Sequence, residues 1–330
     1  MWENIPALKA ELELFEQNML GQFQSHKSVN SYLDKLSVEL INSGGKRLRP
    51  AMTIASSMMG EYHREEVIST AISIELLHTA TLVHDDIIDN SQLRRNQPTV
   101  YAREGVNTAV FTGDYLYVKS ILALAAAGLP VEYMKRLARA IEEVCVGEVE
   151  QFRGRGKVPG FKTYLSRISR KTAALFAASC AAGAHLGGLS DDQVQLAARF
   201  GGYYGIAFQI KDDLLDIMES ADTTGKPAGN DLKEGVITLP VILAATVDSS
   251  VMKKLEGILS VPGGKKVSKR DLLQMVSLVR NTEGIDKTRS VLTKYIAKAE
   301  RVLNRLPESR GRDMLGELLD MSFHGYALDN

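Results

Sequence analysis

Apolar residues recur at three-to-four spacing along most of this chain, and few prolines or glycines interrupt the long stretches that carry them. That period is the mark of amphipathic helices. It is strongest over residues 67–88, 107–127, 130–152, 163–186 and 191–217, while no alternating strand pattern or hairpin signal stands out. Helix ends are readable too. Pro130 and Pro159 sit where helices begin, Ser190 ahead of Asp191 and Asp192 reads as an N-cap with an acidic first turn, and Gly187 with Gly188 reads as a stop. The central stretches are nearly apolar, with Ala-rich, Gly-tolerant runs such as 172–188, which suits helices surrounded by other helices. The pattern predicts an all-α protein, a large antiparallel helix bundle. Residues 153–162, 220–236 and 260–269, rich in Gly, Pro or charge, are the expected loops, and none reads as a linker. Residues 1–330 are therefore expected to form one domain.

Charge and cysteine content narrow the setting. Forty basic and forty acidic residues cancel, so no global field draws the protein to nucleic acid, and membrane contact is expected to be peripheral at most. Cys145 and Cys180 form no CxxC pair, which fits a reducing compartment with both as small apolar fillers. The first residues are rich in Glu and lack an apolar signal core, and no run approaches the roughly 18 apolar residues of a membrane span. A soluble, cytoplasmic protein is expected.

The strongest chemical signal is a repeated spacing. Asp85, Asp86 and Asp89 form D-D-x-x-D, and so do Asp212, Asp213 and Asp216. On a helix the first and last aspartates of each trio lie one turn apart on one face, where like charges repel. Each trio continues an apolar helix, so an uncompensated cluster would be costly. A single such motif is often a solvated acidic face. Two matched copies point instead to a hard cation, and Mg²⁺ is the natural one, because it takes carboxylate oxygens and completes its shell with water and substrate phosphate.

Basic residues cluster elsewhere in the sequence. GGKRLRP (44–50) joins a flexible Gly pair to Lys46 and Arg49, Arg94 and Arg95 follow the first acidic motif, Lys171 and Thr172 lie in a later helix, and Lys226 follows the second motif. Each alone is more often structural, and their weight comes from company. His78 lies two turns before Asp85 on nearly the same stripe, within reach of a substrate held there, although a lone helical histidine is commonly a core residue. His84, next to Asp85, also permits an HD phosphohydrolase reading, which the remaining histidines do not support.

Taken in order, GGKRLRP (44–50), ELLHTATLVHDDIID (75–89), LRR with a following PT (93–99), GDYL (113–116), GE-x-x-Q (147–151), KT (171–172), FQIKDDLLD (208–216) and GKPAGNDLKEG with TLP (225–240) resemble the trans-isoprenyl diphosphate synthase family over nearly the whole chain. The resemblance implies an isoprenoid-synthase-type helix bundle around a central cavity, with about three Mg²⁺ per site, and 1'-4 condensation of isopentenyl diphosphate with an allylic diphosphate such as farnesyl diphosphate. It assigns metal binding to Asp85, Asp89, Asp212 and Asp216, catalysis to Asp85, Asp86, Asp89, Asp212, Asp213, Lys171 and Lys226, and the allylic diphosphate to the metal-binding aspartates with Arg94, Lys171, Thr172, Gln209 and Lys226. Lys46, Arg49, His78 and Arg95 are assigned to isopentenyl diphosphate. Two departures stand out, since the family often has Lys at Asn230 and at Val236. The same region is Lys-poor in members that work as a large catalytic chain with a smaller subunit, so a heterodimer is expected alongside the homodimer.

Product length follows from what stands before Asp85. Short-chain relatives typically carry a bulky aromatic four or five residues earlier, where this chain has Thr81 and Ala80. With a helical rise of about 5.4 Å per turn, near one prenyl unit, the stripe Thr81, Leu77, Ile74 would accompany several added units, roughly C30 to C40. Heptaprenyl diphosphate, for a menaquinone side chain, is the expected product. Two alternatives remain open at this point: a terpene cyclase, which leaves Lys46, Arg49 and His78 unexplained, and a partner-stabilising subunit with a decayed site, against which the intact aspartates argue.

Overall fold

The computed structural model describes residues 2–23, 31–218, 229–259 and 268–326. Its chain divides into two compact units, one drawn from Met1–Ala138, Phe176–Ala198 and Leu303–Leu318, the other from Arg139–Leu175, Arg199–Val302 and Leu319–Asn330.

The first unit is built on α1 (Pro6–Gly21), α2 (Ser31–Asn42), α3 (Leu48–Ser57), α4 (Arg64–Ile88) and α5 (Val100–Ala126). Helix α4 pairs extensively with α5. Phe15 and Met19 of α1, Met52 and Ile54 of α3, and Ile72 and Ile74 of α4 are fully buried. Each such side chain contributes about 2 kcal/mol by leaving water. Thr99 caps α5 by accepting the Ala102 N–H at 3.0 Å, which explains the Thr of the PT pair.

In the second unit lie the end of α6 (Val131–Gly154), α7 (Phe161–Ile168), most of α9 (Asp191–Met218), the short α10 (Asn230–Lys233), α11 (Leu239–Val247), α12 (Ser249–Leu259), α13 (Lys269–Arg280) and nearly all of α14 (Gly284–Leu303). Tyr164, Phe200, Tyr204 and Phe323 are its largest fully buried side chains, and Phe323, near the end of α15 (Arg310–Phe323), meets Tyr204 edge-on at 5.3 Å. The helix-end signals hold. Ser190 and Gln193 form a reciprocal capping box at the start of α9, and Gly188 turns left-handed (φ 73°) after α8 (Ala174–Leu186).

Four expectations need correcting. Residues 163–186 are not one helix, because a π turn at Ser169–Ala173 separates α7 from α8. Residues after the first acidic motif are not plain loop: β1 (Leu93–Arg94) and β2 (Gln97–Pro98) pair antiparallel, with Arg95 and Asn96 at φ 51° and 61° making the tight turn. Cys145 is exposed, so only Cys180 serves as a core filler. Finally, α4 and α5 are each long and apolar enough to cross a membrane; the apolar window of α4 is 67% buried inside the protein and that of α5 only 39%.

Candidate active site

The first acidic motif ends α4. Asp89 is its C-cap residue, with an N–H that donates to Asp85 O at 2.8 Å. Asp85 and Asp89 are half-buried, whereas Asp86 turns inward and is 4% exposed. There Arg94, held on β1, donates from Nε to Oδ1 and Oδ2 at 2.9 and 3.0 Å, with Nη2 also 2.9 Å from Oδ1. The hairpin thus presents Arg94 to the acidic motif and sets Arg95 at its tip.

In the GGKRLRP segment the cations divide by role. Arg47 is buried in the left-handed region (φ 48°). Its guanidinium pairs with buried Glu75 and with Glu16, both at 3.1 Å, and donates to Ile41 O at 2.7 Å, so it locks the segment in place. Gly45 is favoured for a different reason: its backbone stands at φ 150°, and a Cβ there would also stand 2.9 Å from the mobile end of Arg95, at Nη2. Lys46 is exposed and Arg49 half-buried, with the Arg49 guanidinium 4.4 Å above the ring of buried Phe176. His78 is half-buried on α4. Burial, together with the charges of Arg49, Arg94, Arg95 and Arg47, holds its imidazole well below the usual histidine range. At neutral pH it is an uncharged donor inside an arginine cluster, an arrangement suited to a polyanion. Ile74, Leu77 and Ala80 are buried on the same helix, and half-buried Thr81 bonds back to His78 O at 2.8 Å. His84 points to α5, 3.4 Å from Val110 O and 3.5 Å from Asp114. It is an interhelical contact, and no HD-type site forms around it among the described residues.

The second motif lies near the end of α9. Asp212 is exposed and Asp216 half-buried. Asp216 accepts the N–H groups of Asn230 and Asp231 at 3.0 and 3.4 Å, which ties α9 to α10. Asp213 is 2% exposed, held by Tyr164 Oη at 2.5 Å and by Gln209 Nε2 at 2.9 Å. Gln209 in turn accepts from Thr172 Oγ1 at 2.8 Å. Burial pushes the Asp213 carboxyl up to about 7, opposed by the bonds from Tyr164 and Gln209 and reinforced by the charge of Asp212. Lys171 pairs with Glu148 at 2.8 Å. The Gly of GE-x-x-Q makes that possible, since a Cβ on Gly147 would stand 2.8 Å from Lys171 N. Asn230 bonds Glu234 at 3.0 Å, and Val236 is buried at 7% exposure. Lys226 lies outside the described residues.

Among the described residues no three Asp, Glu, His or Cys side chains converge into a ready-made metal cage. The donor set nevertheless fits Mg²⁺: hard carboxylates at accessible ends of helices, with shell positions left for water and phosphate. Tyr164, Arg47 with Glu75, Glu148 and Asp231 were not singled out in the sequence as site residues. Glu148, Arg47, Glu75 and Asp231 each fell within a quoted motif, whereas Tyr164 carried no such signal. Asp231, beside Asp216, Asp213 and Asp212, sits well above the usual carboxylate range through burial and those neighbouring charges.

Comparison with known proteins gives a consistent picture. The sequence model of the polyprenyl synthetase family matches residues 30–276. Heptaprenyl diphosphate synthase component 2 of Geobacillus stearothermophilus is 35% identical over 96% of this chain and 94% of its own. Nonaprenyl diphosphate synthase of Mycobacterium tuberculosis is 34% identical over 97% of this chain and 94% of its own. A crystal structure of polyprenyl synthase from Caulobacter crescentus, complexed with calcium and isoprenyl diphosphate, superposes with a TM-score of 0.87 at 30% identity, covering 96% of this chain and 95% of that one.

Proposed function

This chain belongs to the polyprenyl synthetase family and is a prenyltransferase, and from that premise we propose that it extends an allylic diphosphate such as farnesyl diphosphate to heptaprenyl diphosphate, for a menaquinone side chain. One observation carries the reading beyond a generic diphosphate enzyme. His78 on α4 stands within the field of Arg49 and Arg95, which this reading gives to a second polyanion site for which a cyclase acting on one diphosphate has no use.

In this reading Lys46, Arg49, Arg95 and His78 bind isopentenyl diphosphate. Arg94, Lys171, Thr172, Gln209 and Lys226 engage the allylic diphosphate. Asp85, Asp89, Asp212 and Asp216 are the carboxylates that would hold Mg²⁺, which when bound supplies positive charge to the departing pyrophosphate. The cationic side chains act mainly as the allylic C–O bond breaks and its electron pair passes to the pyrophosphate oxygen, because charge there is then greatest. The isopentenyl double bond, held close by its own diphosphate, attacks the allylic carbon, and a proton leaves to the released pyrophosphate. No protein base is required.

The G. stearothermophilus relative is named as a component, and α5 supports a partner for this chain too. Phe111, Val118 and Leu122 are 63%, 51% and 57% exposed on that helix, more apolar surface than one helix usually shows to water. We assign this face to a second chain, a copy or a smaller subunit. The working assembly is cytoplasmic in this reading.

The experiment is incorporation of radiolabelled isopentenyl diphosphate by the purified chain with farnesyl diphosphate, with and without Mg²⁺, and thin-layer sizing of products. Mg²⁺-dependent elongation to seven units supports the proposal. A primer converted without isopentenyl uptake establishes a cyclase instead, and a chain that does neither, alone or beside a small subunit, is a scaffold.

A further inference from the structure

Asp213 is the least accessible acid of the second motif, and its environment is unlike that of a metal ligand. Tyr164 Oη donates to Oδ2 at 2.5 Å and Gln209 Nε2 donates to Oδ1 at 2.9 Å. Both carboxylate oxygens are therefore committed to uncharged donors inside the unit. Tyr164 itself is 0% exposed. The Arg167 guanidinium lies 5.7 Å from its ring and is fixed by donation to Ile237 O at 3.0 Å. The phenol thus has no freedom to serve a substrate directly.

The connections matter more than the burial. Tyr164 belongs to α7, just before the π turn, while Thr172 lies within that turn and bonds Gln209. The turn carrying Lys171 and Thr172 is thereby fastened to α9 on both sides, and both fastenings end on Asp213 or on its partner Gln209. Next along α9 stands exposed Asp212.

We propose that Tyr164 is a positioning residue which, through Asp213, sets the placement of Asp212 relative to Lys171 and Thr172. The inference rests on the prenyltransferase reading above and assigns Asp213 to anchoring rather than to metal ligation. Outer hydrogen bonds of this kind orient the groups that touch a metal or anion, and their loss commonly weakens binding 10- to 100-fold.

The test is a Tyr164→Phe variant, which removes one oxygen and keeps the ring. Calorimetry would measure inorganic pyrophosphate binding in the presence of Mg²⁺, and separately isopentenyl diphosphate binding without Mg²⁺. Pyrophosphate affinity should fall about tenfold, with isopentenyl diphosphate affinity unchanged. Asp213→Asn should show a similar loss, and the double variant no further one, because both act through one contact. Unchanged pyrophosphate affinity in Tyr164→Phe, or losses that add in the double variant, would overturn the proposal. Should Tyr164→Phe fail to fold, Asp213→Asn, which weakens the same contact from its other end, is read by the same two titrations. A wild-type chain that binds no pyrophosphate with Mg²⁺ sinks the functional reading itself, a result distinct from a variant that behaves like wild type.

Discussion

Arg94 grips Asp86 with two nitrogens, Nε lying 2.9 and 3.0 Å from Oδ1 and Oδ2 and Nη2 2.9 Å from Oδ1. Asp86 is nearly buried while Arg94 keeps about a third of its side chain exposed. Removing the guanidinium takes a charge-assisted partner from a buried acid. Arg94→Ala should cost about 2 kcal/mol of stability, and Arg94→Lys should recover only part, since a point charge cannot reproduce the planar fork. Urea unfolding of both variants checks this; equal stability of wild type and Arg94→Ala would contradict it.

His78 links the arginine cluster to pH. In the unfolded chain its imidazole takes a proton near 6.5, while in the fold burial and four arginines keep it well below that value. Below about pH 6.5 the unfolded state therefore binds more protons, and stability is lost as pH falls. Above 6.5 the contribution is complete. His78→Gln should show a shallower acid-side decline than wild type between about pH 7 and pH 5, measured as unfolding midpoints at fixed ionic strength. Parallel curves would show that His78 titrates normally.

Ala80 precedes Asp85 by five residues and is 2% exposed. If a growing chain runs along this part of α4, Ala80→Phe should shorten the product by one or more prenyl units while total isopentenyl incorporation falls less steeply. Thin-layer sizing decides the matter. An unchanged length distribution in a folded variant removes Ala80 from the ruler.

The outward face of α5 offers a further check. Phe111→Asp with Val118→Asp places charge on exposed positions whose loss should scarcely affect folding of one chain. Sedimentation velocity should show the variant lighter than wild type, either alone or mixed with a small subunit. Identical profiles in both settings would assign that face no partner.

Sequence and structure agree where chemistry follows from spacing along one element. His78 and Asp85 share α4 and Asp89 caps its end, so their common stripe was legible from a two-turn count. The Ser190 cap and the glycine stop after α8 were legible for the same local reason. Arg47 was not: it shares its segment with Lys46 and Arg49, and only its left-handed backbone and the burial of Glu75 separate an anchoring cation from a binding one. Tyr164 was not legible either, because its partner Asp213 lies far along the chain and no period connects them. The hairpin escaped because two-residue strands carry no alternation, leaving only the left-handed tendency of Asn96 to mark it.

A π turn holds one residue more than an α turn, so helix α8 leaves Ser169–Ala173 about 100° out of step with an unbroken continuation of α7. The heading of Lys171 and Thr172 is consequently encoded by chain length as well as by side-chain identity. Deleting Ser169, ahead of both, would swing them away from their neighbours with every functional letter still present. Two homologues differing by such a gap would look equivalent in a motif search and diverge at the bench.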